Sequence, residues 1–127
     1  MKLSRACEDY LKAILILEQN GPVRSVEIAD MMQVSRPSVC SAVKLLRERG
    51  LITMDAEKRI ILTDAGRAIA ERIFERNRVL RQILLLIGLD SETAEEDACG
   101  MEHVVSAETL EKLKSYFAAH RREEGEG

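Results

Sequence analysis

"RPSVCSAVKLLRERGLITMDAEKRIILT", residues 36–63, changes its periodicity half-way along. Up to Arg49 the apolar residues Val39, Val43 and Leu46 recur at helical spacing and share one face. Ser35 stands where a helix cap is needed, and Pro37 falls in the first turn, where a missing N–H costs nothing. Gly50 closes the helix. From Leu51 the pattern turns to β. "LIT" and "RIILT" are β-branched and apolar, and the charged "DAEK" lies between them. This predicts a hairpin over 51–63, although no Asn-Gly pair specifies its turn. A capped helix running into a short hairpin is the second half of a winged helix-turn-helix.

The residues upstream supply the first half. Residues 3–18 are dense in apolar side chains, with charges at Glu8, Asp9 and Lys12, and predict a first helix that "NGP", 20–22, ends. Ser25 is expected to cap a second helix over 26–32, and "QVS", 33–35, is a short turn. Downstream, Thr63 or Asp64 caps a long helix over 65–87 that Gly88 ends. Ser91 or Thr93 starts the next, with Thr93 and Glu96 fitting a capping box. Ser106 caps a final helix from 107 to about 120, and the polar "RREEGEG" is expected to fray. The expected fold is mainly α: an N-terminal winged helix-turn-helix domain with a small β wing over 1–64, then an all-helical domain over 65–127. Ile83, Leu84, Leu85, Leu86, Ile87 and Leu89 exceed what that second half can bury. Such a surplus points to a homodimer.

Apolar residues make up 46% of the 127, enough for a core, but with two Phe, two Tyr and no Trp the core is aliphatic. The same scarcity excludes an aromatic stacking platform for single-stranded nucleic acid. Cys7, Cys40 and Cys99 are widely spaced and odd in number, which suits a reducing compartment rather than a disulfide framework. No apolar run is longer than that over 83–87, which is too short for a bilayer. The expectation is a cytoplasmic protein with no membrane partner and no small organic substrate. The net charge of −3 is uneven: residues 1–65 carry ten Lys/Arg against nine Asp/Glu, residues 66–127 nine against thirteen. Between Arg36 and Arg49 four basic residues face one acid. A local basic stripe matters more to phosphates than whole-chain charge.

A recognition helix needs small polar or basic side chains on its exposed N-terminal face. Ser35, Arg36, Pro37, Ser38, Ser41 and Lys44 provide that face, together with Cys40. Arg36 can reach a guanine edge or a phosphate. Lys44, Arg47 and Arg49 suit the backbone, as do Lys58 and Arg59 at the wing tip. The expected partner is double-stranded operator DNA. The plainer alternative is an amphipathic helix with a solvated face in a protein-interaction module.

"DACGMEH", 97–103, puts Cys99, Glu102 and His103 at i, i+3 and i+4, so on a helix all three leave from one face. Alone, the triplet reads equally as a half-buried Cys, a surface Glu and a solvated His. Its setting changes the weighting. "EDYLKAI", "RPSVCSAVKLLRERGLI", "LTDAGRAIAERI" and "GMEHVVS" together make nearly the whole chain resemble the diphtheria-toxin-repressor and manganese-transport-regulator family of metal-dependent transcriptional repressors. The likeness is to the short branch without an SH3-like third domain. It implies pairing through the second domain and operator binding promoted by Fe(II) or Mn(II). It also implies Cys99, Glu102 and His103 as ligands, with Asp9 the helix 1 ligand, which is Asp in manganese regulators and Met in iron regulators. Two positions depart from the family pattern. Lys12 stands where manganese regulators have a second carboxylate, and Asn77, which still offers an amide oxygen, where the family has a His. One principal metal site is therefore expected, with Lys12 or Arg81 supplying positive charge where a second ion would sit.

A thiolate disfavours Mn(II) relative to Fe(II), Co(II), Ni(II) or Zn(II), while Asp9 pulls toward harder ions. Fe(II) is expected first and Mn(II) second, with Zn(II), Co(II) or Ni(II) binding in vitro. Cys7, Tyr10 and Met101 read as core, Cys40 as a small packing residue, and His120 has no assigned role. The competing reading is a metal-independent winged-helix regulator with a degenerate site, favoured by Lys12 and Asn77. A zinc hydrolase is disfavoured because the chain has no HExxH and no separate general base, so no enzyme is expected. A metal-storage protein with a vestigial helix-turn-helix is the remaining alternative.

Overall fold

The computed structural model describes residues 3–126, with side chains as far as residue 120. Its elements are α1 (Arg5–Glu18), α2 (Ser25–Met32), α3 (Arg36–Glu48), β1 (Ile52–Met54), β2 (Ile60–Leu62), α4 (Asp64–Leu86), α5 (Ser91–Met101) and α6 (Ala107–Glu126). They form two compact units, residues 1–73 and 74–127. The border between these units falls inside α4, because the first turns of that helix pack on the winged domain. Ala70 lies in its core, and Ile69 packs against it.

In the first unit, Ser4 caps α1 by accepting the Cys7 N–H at 3.2 Å. The helix buries Cys7, Tyr10, Leu11, Ile14 and Leu15. Val39, Val43 and Leu46 turn the opposite way from the charges on α3 and meet this core together with Ile28, Leu51 and Ile52. The two strands pair antiparallel, Thr53 opposite Ile61. Ile60 also donates its N–H to the Val23 carbonyl at 2.7 Å, which fastens the wing to the chain entering α2. Arg67 on α4 grips both carboxylate oxygens of Glu18 on α1.

Several ends differ from the sequence expectation. Ser25 is the first residue of α2, not its cap, and Glu27 reaches back to accept the Arg24 N–H at 3.0 Å. Gln33 closes α2 in the left-handed region at φ 55°. Asp90, not Ser91 or Thr93, caps α5. The final helix runs on to Glu126 rather than stopping near 120, since Arg and Glu are good helix formers. Ser35 and Ser106 cap α3 and α6 as expected, accepting from Ser38 N at 3.2 Å and Thr109 N at 3.1 Å.

The second unit has a smaller core of Val79, Leu80, Ala98 and Leu110, with Ile83, Leu84, Met101, Val105 and Leu113 against it. Glu75 on α4 accepts from Arg78 at 2.8 Å and pairs with Lys114 of α6 at 3.4 Å. Not all of the expected apolar surplus is buried: Leu85 is 43% exposed and Ile87 70%.

A close approach sets where α4 starts. A Cβ built on Gly66 would lie 1.9 Å from the Leu51 carbonyl oxygen, a backbone atom that cannot swing aside. Thr63 fixes the same corner, its hydroxyl donating to the Gly50 carbonyl at 2.8 Å while accepting the Gly66 N–H at 3.1 Å. Gly66→Ala must push the helix off the wing and is expected to destabilise the protein by about 3 kcal/mol, the upper range for overpacking. Urea denaturation checks it, and an unchanged midpoint would contradict the close approach.

Candidate metal centre and nucleic-acid interface

The metal-ligand candidates of the second unit sit at the end of one helix. Asp90 starts α5, accepting the Thr93 N–H at 2.7 Å. That backbone N–H, then the Thr93 hydroxyl, holds the Asp90 carboxyl below the usual aspartate range. Cys99 lies in the last turn. The helix stops at Met101, whose carbonyl takes the N–H groups of Val104 and Val105, both at 3.0 Å. Glu102 is thus the C-cap, still in right-handed helical conformation, and His103 lies in the following turn. The expectation that all three ride one helix holds for Cys99 and is modified for the other two.

What the turn does is bury charge. The Glu102 side chain is 0% exposed and that of His103 5%, and His103 Nε2 lies 3.4 Å from Glu102 Oε1. The surface Glu and solvated His of the plainer reading are therefore not what this segment presents. A carboxylate withdrawn from water beside an imidazole suits a divalent cation, which takes an oxygen and a nitrogen and supplies positive charge. The residues present fit a transition metal on that ground. Cys99, half-buried, lies one turn before Glu102 and His103.

Asn77, 9% exposed on α4, directs its amide nitrogen at Cys99 Sγ, 3.6 Å away. Here it donates to the sulfur. Asp9 belongs to the first unit, half-buried on α1.

Two residues that the sequence reading passed over shape this region. Arg76 Nη1 donates to the backbone carbonyls of Glu102 at 3.2 Å and Val105 at 3.0 Å. Carbonyls past a helix end need a partner, and a guanidinium from another helix provides one. No local pattern announces a partner so far away in sequence. Glu95 was findable: it lies four residues before Cys99, on the same helical face, and its Oε1 accepts from Cys99 Sγ at 3.6 Å.

The nucleic-acid candidates lie on the first unit. Ser35, Arg36, Pro37, Ser38, Ser41, Lys44, Arg47 and Arg49 are all exposed. Ser35 and Ser38 hydroxyls share a hydrogen bond of 2.8 Å at the helix N-terminus. Cys40 is exposed too, so it is not the packing residue expected. It faces an open depression with Lys44 and Arg47 on its rim. At the wing tip Lys58 is exposed with φ 64°. Arg59 is engaged below it, its Nε 2.6 Å from Asp55 Oδ2 and its Nη2 3.4 Å from Glu57. Asp55, held below the ordinary carboxylate range mainly by the Arg59 N–H, organises this turn in place of an Asn-Gly pair.

Two family models match. The iron dependent repressor N-terminal DNA binding domain covers residues 2–60. The iron dependent repressor metal binding and dimerisation domain covers residues 63–124. This chain belongs to the iron-dependent repressor family. It is 35% identical over 114 residues to the transcriptional regulator MntR of Escherichia coli, covering 89% of this chain and 74% of that one. It is 33% identical over 118 residues to an HTH-type transcriptional regulator of Methanocaldococcus jannaschii, covering 91% and 94%. The solved manganese regulator SloR superposes with a TM-score of 0.80 at 29% identity, covering 93% of this chain and 55% of SloR. The iron-dependent repressor assignment makes the protein a metal-responsive transcriptional regulator. No helix among the described residues is long and apolar enough to cross a membrane.

Two outcomes are expected from this geometry. Arg76→Met should weaken Mn(II) binding about ten- to a hundredfold, the range for groups that orient ligands without touching the metal. Equilibrium dialysis reads it, with circular dichroism to show an intact helix content. Affinity within twofold of the parent would rule the positioning role out. The Asp90 cap carries a sign in pH. A carboxyl depressed in the folded state contributes stability above the ordinary aspartate range and loses it as pH falls through the depressed value. Asp90→Asn should flatten that acid limb of the stability curve, while an unchanged limb would place the loss elsewhere.

Proposed function

We propose that this protein represses transcription as a cytoplasmic homodimer whose operator binding requires one divalent metal per chain, Fe(II) first and Mn(II) second. The observation that carries the reading is the Glu102 carboxylate, fully withdrawn from solvent beside the nearly buried His103, one turn after Cys99. Cys99, Glu102 and His103 hold the ion from the second unit, and Asp9 completes the set from α1. Asn77 steadies the sulfur by hydrogen bonding. Bound there, the ion supplies the positive charge that joins two carboxylates, a thiolate and an imidazole. Zn(II), Co(II) and Ni(II) fit the same donors in vitro.

Asp9 belongs to the DNA-binding unit and the other ligands to the second. Ligation by all four ties the units together and selects the arrangement of the two recognition helices that fits half-sites about one helical turn apart, or a multiple of it. Arg36, Ser38 and Ser41 then meet base edges, with Ser35 and Pro37 setting the helix N-terminus. Lys44, Arg47 and Lys58 meet phosphates, and Arg59 shapes the wing. The apolar side chains left on the second unit, Ile87 at 70% exposure, Val104 at 81% and Tyr116 at 61%, support pairing through that unit. By reciprocity, operator DNA tightens metal binding by the factor with which metal tightens DNA binding.

Anaerobic titration of the protein onto its own upstream promoter duplex, with Fe(II), Mn(II) or chelator, tests this. Binding should require metal, fall steeply with salt through counterion release, and be abolished by Glu102→Ala or His103→Ala. Equal binding in chelator would leave a regulator that ignores metal.

A further inference from the structure

Beside the proposed ligand Cys99, the second unit carries a chain of polar groups that the single-metal reading does not use. Glu95 sits one turn before Cys99 on α5. Its Oε1 lies 3.6 Å from the Cys99 sulfur, and its Oε2 lies 3.2 Å from Nη1 of Arg81 on α4. Asn77, one turn before Arg81 on α4, meets the same sulfur from that second helix at 3.6 Å. Carboxylate, thiol and amide therefore converge at the outer flank of the proposed metal ligand. The carboxylate is 50% exposed, within reach of an ion from solvent.

Such a flank is what a second cation seeks, and here a guanidinium already occupies it. Arginine stays protonated at any pH the fold survives, so its charge is permanent. It takes the outer carboxylate oxygen, and it puts a positive charge where an incoming divalent ion would have to approach. We propose that Arg81 is a built-in cation that closes a second ion position formed by Glu95 and Cys99, with Asn77 alongside, and so holds the chain at one metal. The inference rests on the single-metal reading above and names the residue that enforces it. The sequence offered Arg81 as one cation for this part, and its partner carboxylate touches the thiol.

Because Arg81 and Glu95 are 43% and 50% exposed, the pair adds little to stability, and variants at either position should fold. The test counts Mn(II) on the full chain under reducing, anaerobic conditions, by equilibrium dialysis with electron paramagnetic resonance of free and bound ion. The parent should bind one Mn(II) per chain and Arg81→Ala two, the second more weakly and with the spectral broadening of a neighbouring spin. Arg81→Lys, which keeps the charge, should stay at one. Arg81→Ala combined with Glu95→Gln should return to one, because the carboxylate is gone. One Mn(II) on both the parent and Arg81→Ala would overturn this inference and leave the single-metal reading standing. Two on the parent, or none, would remove that reading and this inference with it.

Discussion

Taking the Glu102 carboxylate out of water carries a desolvation cost of several kcal/mol, and the second unit is arranged around meeting it. The helix must end where it does, so that Glu102 turns inward and His103 follows it into the interior. That ending leaves backbone carbonyls beyond Met101 in need of donors. Arg76 meets two of them from α4, a helix already fixed by Val79 and Leu80 in the small core. The side chains of the site are thereby oriented through the backbone before any ion arrives. Preorganisation of this kind lowers the ordering cost of ligation, so more of the donor–metal interaction appears as affinity.

The winged unit meets a different demand, that of keeping polar side chains outward while the helix behind them is locked. Val39 and Leu46 are fully buried, and the exposed row from Arg36 to Arg47 follows from the helical period alone. The corner between wing and α4 depends on a close backbone approach as well as on side-chain packing. Gly66 permits that proximity, and the Thr63 hydroxyl bonds across it. A bulkier residue at 66 would have to shift the start of α4 away from the Leu51 carbonyl.

How much of this was legible in the sequence follows from how local each cause is. The α3 face, the Ser35 and Ser106 caps, the hairpin and the cysteine–glutamate–histidine spacing are written within a few residues of one another, and periodicity or capping chemistry reads them directly. Ser25 misled because Glu27 can serve the same N-terminus from inside the helix. Cys40 misled because its small, apolar character says nothing of which way α3 turns, and the helix turns it outward. Arg76 and Gly66 were out of reach: one acts on carbonyls twenty-six and twenty-nine residues away, and the other answers a backbone atom on a different element. Glu95 lay within reach by the i, i+4 rule, but its neighbour Glu96 drew the capping assignment that Asp90 in fact fulfils.

The proposed donor set would also decide what kind of discrimination the protein can make. Sulfur, nitrogen and carboxylate oxygen together follow the general affinity order, in which Zn(II) and Ni(II) outrank Fe(II) and Mn(II). Affinity alone therefore cannot single out the metal that signals. Selectivity has to come from the free concentration of each ion in the cell and from whether ligation by every donor produces the arrangement that fits DNA. An ion content with Cys99, Glu102 and His103 would occupy the second unit without recruiting Asp9, and would bind tightly while moving the equilibrium little, since a ligand shifts two states only by its difference in affinity for them. Asp9 is a hard donor and favours the ions that the thiolate disfavours. If the proposed ligand set holds, the Asp9 carboxylate would be what converts occupancy into response, while Cys99, Glu102 and His103 would set how tightly the ion is held.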